Sequence, residues 1–219
     1  MSSLLDVLAG TETQAVVGSN PRPEVNASCQ SVGIEVIPYN ACLDPQADSF
    51  LPWLWKRMQE DDLVDYYFPG QKDTGFATFV RMFSGDAQVA LFKSPDTSLG
   101  NTWEDRIPGF ITWSPLAMGS SNMIIAGFIF FKRWWGEVTD DAARAAFNGW
   151  FTAQPPIDCV LGVCPALHKL AMRYDQRIGL HEIGRIPDGH LFKGRKCDAV
   201  LFAMTREDWR ARCQQQQSR

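Results

Sequence analysis

Lys132 and Arg133 stand where the densest apolar run of the chain, Met123 to Phe131, comes to an end, and Trp134, Trp135 and Gly136 follow at once. Cations, indoles and a glycine between a strand and a helix start point to the holding of an anion such as a phosphate. Free N–H groups at a helix N-terminus face outward, and the helix dipole favours negative charge there. The competing reading of Lys132 and Arg133 is ordinary solvated charge closing a strand. Other candidate chemistry is sparse. His168, His181 and His190 show no metal-ligand spacing, so no metal is expected. The six cysteines, at positions 29, 42, 159, 164, 197 and 213, lack the paired short spacing of zinc sites and read as free thiols in a reducing compartment.

The elements that must position these residues belong to one domain. A chain of 219 residues is long enough for a sizeable single core, and its 45% apolar and 21% charged residues are ordinary for a globular protein. The net charge of −4 argues against a nucleic-acid partner. No segment has the pattern of a secretory signal, and the apolar run falls short of the ~20 residues a membrane span needs. A cytoplasmic location with no membrane partner is therefore expected.

Residues 1–32 read as an extension, rich in Ser, Thr, Asn and Pro, in which Ser3–Leu8 could dock on a partner subunit. The domain spans 33–209. Gly33–Pro38 alternates as a strand. Asp44-Pro45 precedes a helix with Phe50, Leu54, Trp55 and Met58 on one face, starting near Leu51 if Pro52 is respected. Asp73 caps a second helix with an aromatic stripe through Phe76, Phe79, Val80 and Phe83. Three strands follow: Gln88–Lys93, Gly109–Ser114 stopped by Pro115, and Met123–Phe131, buried on both faces, with Gly127 marking a bulge or close approach. Thr139 is the expected N-cap of the next helix, with Asp140 and Asp141 in its first turn. A strand at Ile157–Val163, a helix ending at Gly179, and strands at His181–Ile186 and Asp198–Met204 complete the domain, and 210–219 is a polar tail that could also meet partner subunits.

The order βααβββαβαββ, with Ala171, Arg177-Ile-Gly-Leu180, Gly184-Arg-Ile-Pro-Asp-Gly189 and Met204-Thr-Arg-Glu-Asp-Trp209, resembles the GNAT (Gcn5-related N-acetyltransferase) superfamily. The C-terminal wording is similar to ribosomal-protein-acetylating members and to GNAT proteins of tailed bacteriophages. The resemblance implies an α/β (α+β) fold, with a mixed central sheet of six to seven strands and helices on both faces. It implies that acetyl-CoA lies where two parallel strands splay. Pantetheine would pair with strand backbone and pyrophosphate would rest on an Arg/Gln-x-x-Gly-x-Gly/Ala loop. By that likeness Phe131, Lys132, Arg133, Trp134, Trp135 and Gly136 are the cofactor-binding candidates.

Acetyl transfer needs a base for the amine and an acid for the departing thiolate. The resemblance places Asp175 where many members carry a tyrosine, and His168 at the family's Asn position. Tyr174 lies about 100° further round the helix and reads as core. Glu137 is the first carboxylate after the long strand. An ionised Asp175 is a poor acid unless burial raises its pKa. One glycine stands where two are wanted, and two aspartates within ~5 Å of a pyrophosphate cost on the order of a few kcal/mol. The leading expectation is thus a catalytically silent GNAT fold without cofactor, serving as a structural or head-assembly part of a phage particle. The alternative is an active acetyl-CoA-dependent N-acetyltransferase acting on a protein or small-molecule amine. A peptide-binding module using the Trp-rich exit is a third reading.

Overall fold

The computed structural model describes residues 33–68, 75–98, 100, 102–118 and 121–217. The proposed docking segment 1–32 and the cap at Asp73 lie outside them. Seven strands form one mixed sheet in the order β1-β2-β3-β4-β5-β7-β6. They are β1 (Glu35–Pro38), β2 (Gln88–Lys93), β3 (Gly109–Met118), β4 (Ser121–Phe130), β5 (Cys159–Pro165), β6 (His181–Phe192) and β7 (Arg195–Thr205). The helices are α1 (Ala47–Glu60), α2 (Val64–Tyr67), α3 (Gly75–Arg81), α4 (Glu137–Thr152), α5 (Lys169–Ile178) and α6 (Arg206–Gln217). Every neighbouring pair is antiparallel except β4 with β5.

Strand alternation gives the sheet two apolar faces. Phe92, Ile111, Ile124 and Val200 meet α4, α5 and α6 on one side, through Phe147, Trp150, Met172 and Trp209. Leu91, Phe110 and Ile129 meet α1 and α3 on the other, through Leu54, Met58, Phe79 and Phe83. Residues adjacent in sequence thus serve opposite cores, as the two-residue period of a strand requires. The aromatic stripe of α3 is core: Phe79 lies 4.7 Å from Phe83 and 6.1 Å from Phe110, ring centre to ring centre.

Several boundaries differ from expectation. Helix α1 begins at Ala47 and keeps Pro52 inside it, with the Asp44 carboxylate accepting from the Gln46 N–H at 2.9 Å. Strand β3 runs through Pro115 to Met118, because β2 ends at the Gln88–Trp113 pair and the side of Pro115 that lacks an N–H has no strand to bond. Strand β4 is only partly buried between Ile125 and Phe128, not sealed on both faces. Pro187-Asp-Gly189 is not a turn but an irregularity within β6, which continues to Phe192. Residues 206–217 form a helix rather than a polar tail, since Trp209 and Cys213 are buried against the core. Cys42, Cys159, Cys164 and Cys197 are free thiols, whereas Cys213 is disulfide-bonded, which corrects the expectation of six free thiols.

Candidate functional site

The parallel ladder between β4 and β5 is short. It pairs Met123 with Cys159, Ile124 with Val160 and Ile125 with Leu161, and then stops. Beyond it β4 stays with β3 and β5 stays with β7, so the two strands fork. The narrow end is braced by Asp158, whose carboxylate accepts from the Asn122 N–H at 3.0 Å and from Arg206 at 2.8 Å. At the wide end, the Phe131 N–H bonds the Pro108 carbonyl at 2.9 Å. That bond fixes the phase: odd-numbered residues of β4 face β3, and the peptide groups of Ala126, Phe128 and Phe130 face the fork.

Side chains occupy the fork. Tyr66 and Tyr67 enter it from α2, edge to face at 4.5 Å. The Tyr67 hydroxyl donates to the Phe128 carbonyl, and its ring lies over Gly127, where a Cβ would come within 3.7 Å of it. A Cβ there would make ordinary van der Waals contacts, and the β3–β4 register passes Thr112–Gly127 unshifted, so Gly127 marks neither a bulge nor an enforced close approach. Tyr66 points its hydroxyl at the Cys164 sulfur, 3.9 Å away, and packs on His168 at 5.0 Å and Phe192 at 6.2 Å. Asp175 faces the same group from α5, and its charge raises the pKa of Tyr66, Tyr67 and Cys164.

The cluster is partly buried, and that burial shifts each of its titratable groups. Burial holds both phenols well above their ordinary pKa, pushes the Cys164 thiol up to about 12, and lowers His168. Burial also raises Asp175, to about 7. Burial thus moves Asp175 in the direction that acid chemistry would need. Tyr174 is in the core as expected, 5.6 Å from Phe130, and its hydroxyl donates to the Thr139 carbonyl at 2.8 Å. His168 caps α5, its Nδ1 accepting from the Ala171 N–H at 2.9 Å. Glu137 opens α4, away from this cluster in sequence and on another helix.

The loop after β4 corrects the electrostatic objection. The N-cap of α4 is Gly136, not Thr139, so Asp140 and Asp141 fall beyond the first three helical residues. Each is also engaged: Asp140 accepts from Arg177 at 3.0 and 2.8 Å, and Asp141 from Arg144 at 2.7 Å. No side chain caps the helix start, and a Cβ on the exposed Gly136 would meet nothing within 4 Å. Read from Arg133, the stretch Arg133-Trp-Trp-Gly136-Glu-Val138 matches the expected loop pattern at arginine and glycine and departs at Val138. Val138 packs against the α1–α3 core. Lys132, Arg133, Trp135 and Gly136 lie at the surface, but Phe131 and Trp134 are turned into the α1–α3 core and cannot offer side chains to a ligand. That burial also removes half of the Trp pair from any peptide-binding surface. The residues present fit an anion at an open helix start flanked by cations. Among the described residues no group of three or more His, Cys, Asp and Glu could hold a metal, and no helix is long and apolar enough to cross a membrane.

Gly136 has φ 134° and ψ −140°, a conformation essentially reserved for glycine. With open space around it, Gly136→Ala is charged with backbone strain alone. It is expected to lose about 1–3 kcal/mol in urea unfolding and to weaken any anion held at the α4 N-terminus.

Tyr66, Tyr67, Cys164 and Arg177 were not foreseen as site residues. The Tyr66-Tyr67 pair sits in a four-residue helix too short for any period to show which way its rings point.

No protein-family model matches the sequence, and neither does any curated protein. Solved structures do. A GCN5-related N-acetyltransferase from Brucella melitensis superposes with a TM-score of 0.62 at 14% identity, over 91% of this chain and 87% of that one. A GNAT-family acetyltransferase from Bacillus anthracis gives 0.59 at 12% identity, over 81% and 98%. RimL, a ribosomal L7/L12 alpha-N-protein acetyltransferase in complex with coenzyme A, gives 0.59 at 11% identity, over 80% and 95%. Likeness at such identities carries the architecture and nothing finer: the chain has the GNAT acetyltransferase fold.

Proposed function

We propose that the chain is an acetyl-CoA-dependent N-acetyltransferase acting on an amine of a protein or small molecule. The observation that carries this reading is the fork with Asp175 beside it, a carboxyl that burial brings to about 7 where burial holds the Tyr66 and Tyr67 phenols and the Cys164 thiol far above neutrality. Acetyl-CoA would supply the activated acyl group. The chain's own residues supply the rest. The α4 start at Gly136, with Lys132 and Arg133, holds the anionic end. The carbonyls of Phe128 and Phe130 face the strand gap as acceptors. Asp175 keeps a proton for the departing sulfur. Cys164, held protonated by burial, is a poor nucleophile, which favours direct transfer to the amine over a cysteine-bound acyl group.

A silent assembly part of a phage particle finds no support in the three solved structures above, each of them described as an acetyltransferase. The filled fork, the departure at Val138 and the aspartate at 175 are features that a silent fold would share. Titration calorimetry with acetyl-CoA, followed by an assay of thiol release with amine acceptors, separates the two. Micromolar binding with turnover of an amine is expected. Absence of binding at millimolar acetyl-CoA sinks the enzyme reading.

A further inference from the structure

Three backbone groups at the wide end of the fork are held by the protein's own side chains. The Asp61 carboxylate takes the Lys132 N–H at 2.6 Å, the Trp135 indole N–H takes the Phe130 carbonyl at 3.2 Å, and the Tyr67 hydroxyl takes the Phe128 carbonyl. A splayed strand exposes such groups, and each needs a partner. They are also the groups that an extended, amide-bearing ligand entering the fork would use.

The holders differ in how firmly they are rooted. Tyr67 is wedged against Tyr66, and α2 is anchored by the buried Val64 and Phe68. Trp135 has no such footing. The residue is 49% exposed, it follows a single 3-10 turn at Lys132–Trp134, and the residue beside it is the open Gly136. Resting on the acetyl-CoA reading, we infer that Trp135 is a gate on the acyl-donor groove: its indole N–H closes the Phe130 carbonyl in the free protein and yields it when the donor's amide takes that carbonyl. Indole and ligand compete for one acceptor, so the fraction of molecules with Trp135 swung out scales the apparent affinity.

Trp135→Phe keeps a ring and removes the N–H, at a surface position where folding is not at stake. Its acetyl-CoA affinity by titration calorimetry is expected to be about fivefold tighter than that of the wild type, the worth of one lost competing hydrogen bond. Acetyl-CoA should also change the tryptophan emission of the wild type by a component that Trp135→Phe lacks. Equal or weaker binding by Trp135→Phe, with the wild type still binding, overturns the gate and leaves the acetyltransferase reading standing. Absence of binding by either protein overturns both. Asp61→Ala, which removes the acceptor of the Lys132 N–H, provides a second arm: tightening there but not in Trp135→Phe places the restraint on the loop amide and also overturns the gate.

Discussion

Asp175→Asn is expected to lower kcat for acetyl transfer on the order of 10²-fold while leaving acetyl-CoA affinity within about twofold, the usual scale for removing one positioned acid. The side chain keeps its shape and loses only its proton. Asp175 is raised to about 7 by burial, so in the wild type the acid-dependent part of kcat should fall as pH rises through that value. The asparagine variant should lose that limb of the profile. Asp175→Tyr, which installs a neutral acid, is expected to keep more activity than Asp175→Asn above pH 8. A pH-independent loss common to both variants would show that Asp175 merely packs.

The same shift bears on stability, with a definite sign. The folded-state pKa lies above the ordinary carboxylate value, so between about pH 4 and 7 the folded chain binds more proton than the unfolded one. Stability contributed by this group is therefore lost as pH rises through that window. Asp175→Asn has no such penalty. Urea unfolding should show the variant gaining on the wild type between pH 5 and pH 8 by on the order of 2 kcal/mol.

Gly109→Ala is expected to be the most damaging single methyl in the chain, costing on the order of 3–5 kcal/mol in chemical denaturation. A Cβ on Gly109 would sit 2.0 Å from the Ile129 carbonyl oxygen and 2.9 Å from the Phe130 Cα, both backbone atoms of the paired strand. No rotamer change relieves a clash with backbone, so β3 and β4 must part where Gly109 faces Phe130. Gly149 provides the control. It is exposed near the end of α4, where a Cβ meets nothing within 4 Å, and Gly149→Ala is expected to stabilise the helix by about 0.5–1 kcal/mol. A Gly109→Ala protein as stable as the wild type would mean that the β3–β4 register differs from the one described.

Much of this architecture was legible in the residues. The short apolar run Gln88–Lys93, the apolar run into Phe130 and the glycine stop at Gly179 each encode a local geometry that tertiary contacts did not override. Boundaries were misread where the deciding partner is remote. Whether a strand tolerates Pro115 depends on where β2 ends, and whether residues 206–217 fold depends on a pocket for Trp209. The site was harder to see. Asp140 and Asp141 look repulsive until Arg177, contributed by another helix, is placed against the first of them. The titration of Asp175 depends on burial among side chains from α2 and β5, which no spacing along α5 reveals.

The fork also divides the sheet mechanically. Strands β1 to β4 form one plate and β5 to β7 another, joined along this line by three residue pairs and pinned at one end by the Asn122–Asp158–Arg206 brace. Such a seam is expected to flex about its pinned end. Small rotations of one plate against the other widen the far end by several times the displacement at the pivot, and they do so without breaking either plate's own ladder. Amide exchange at Phe128 and Phe130, which lie beyond the last β4–β5 pair, should therefore outpace that of their odd-numbered neighbours.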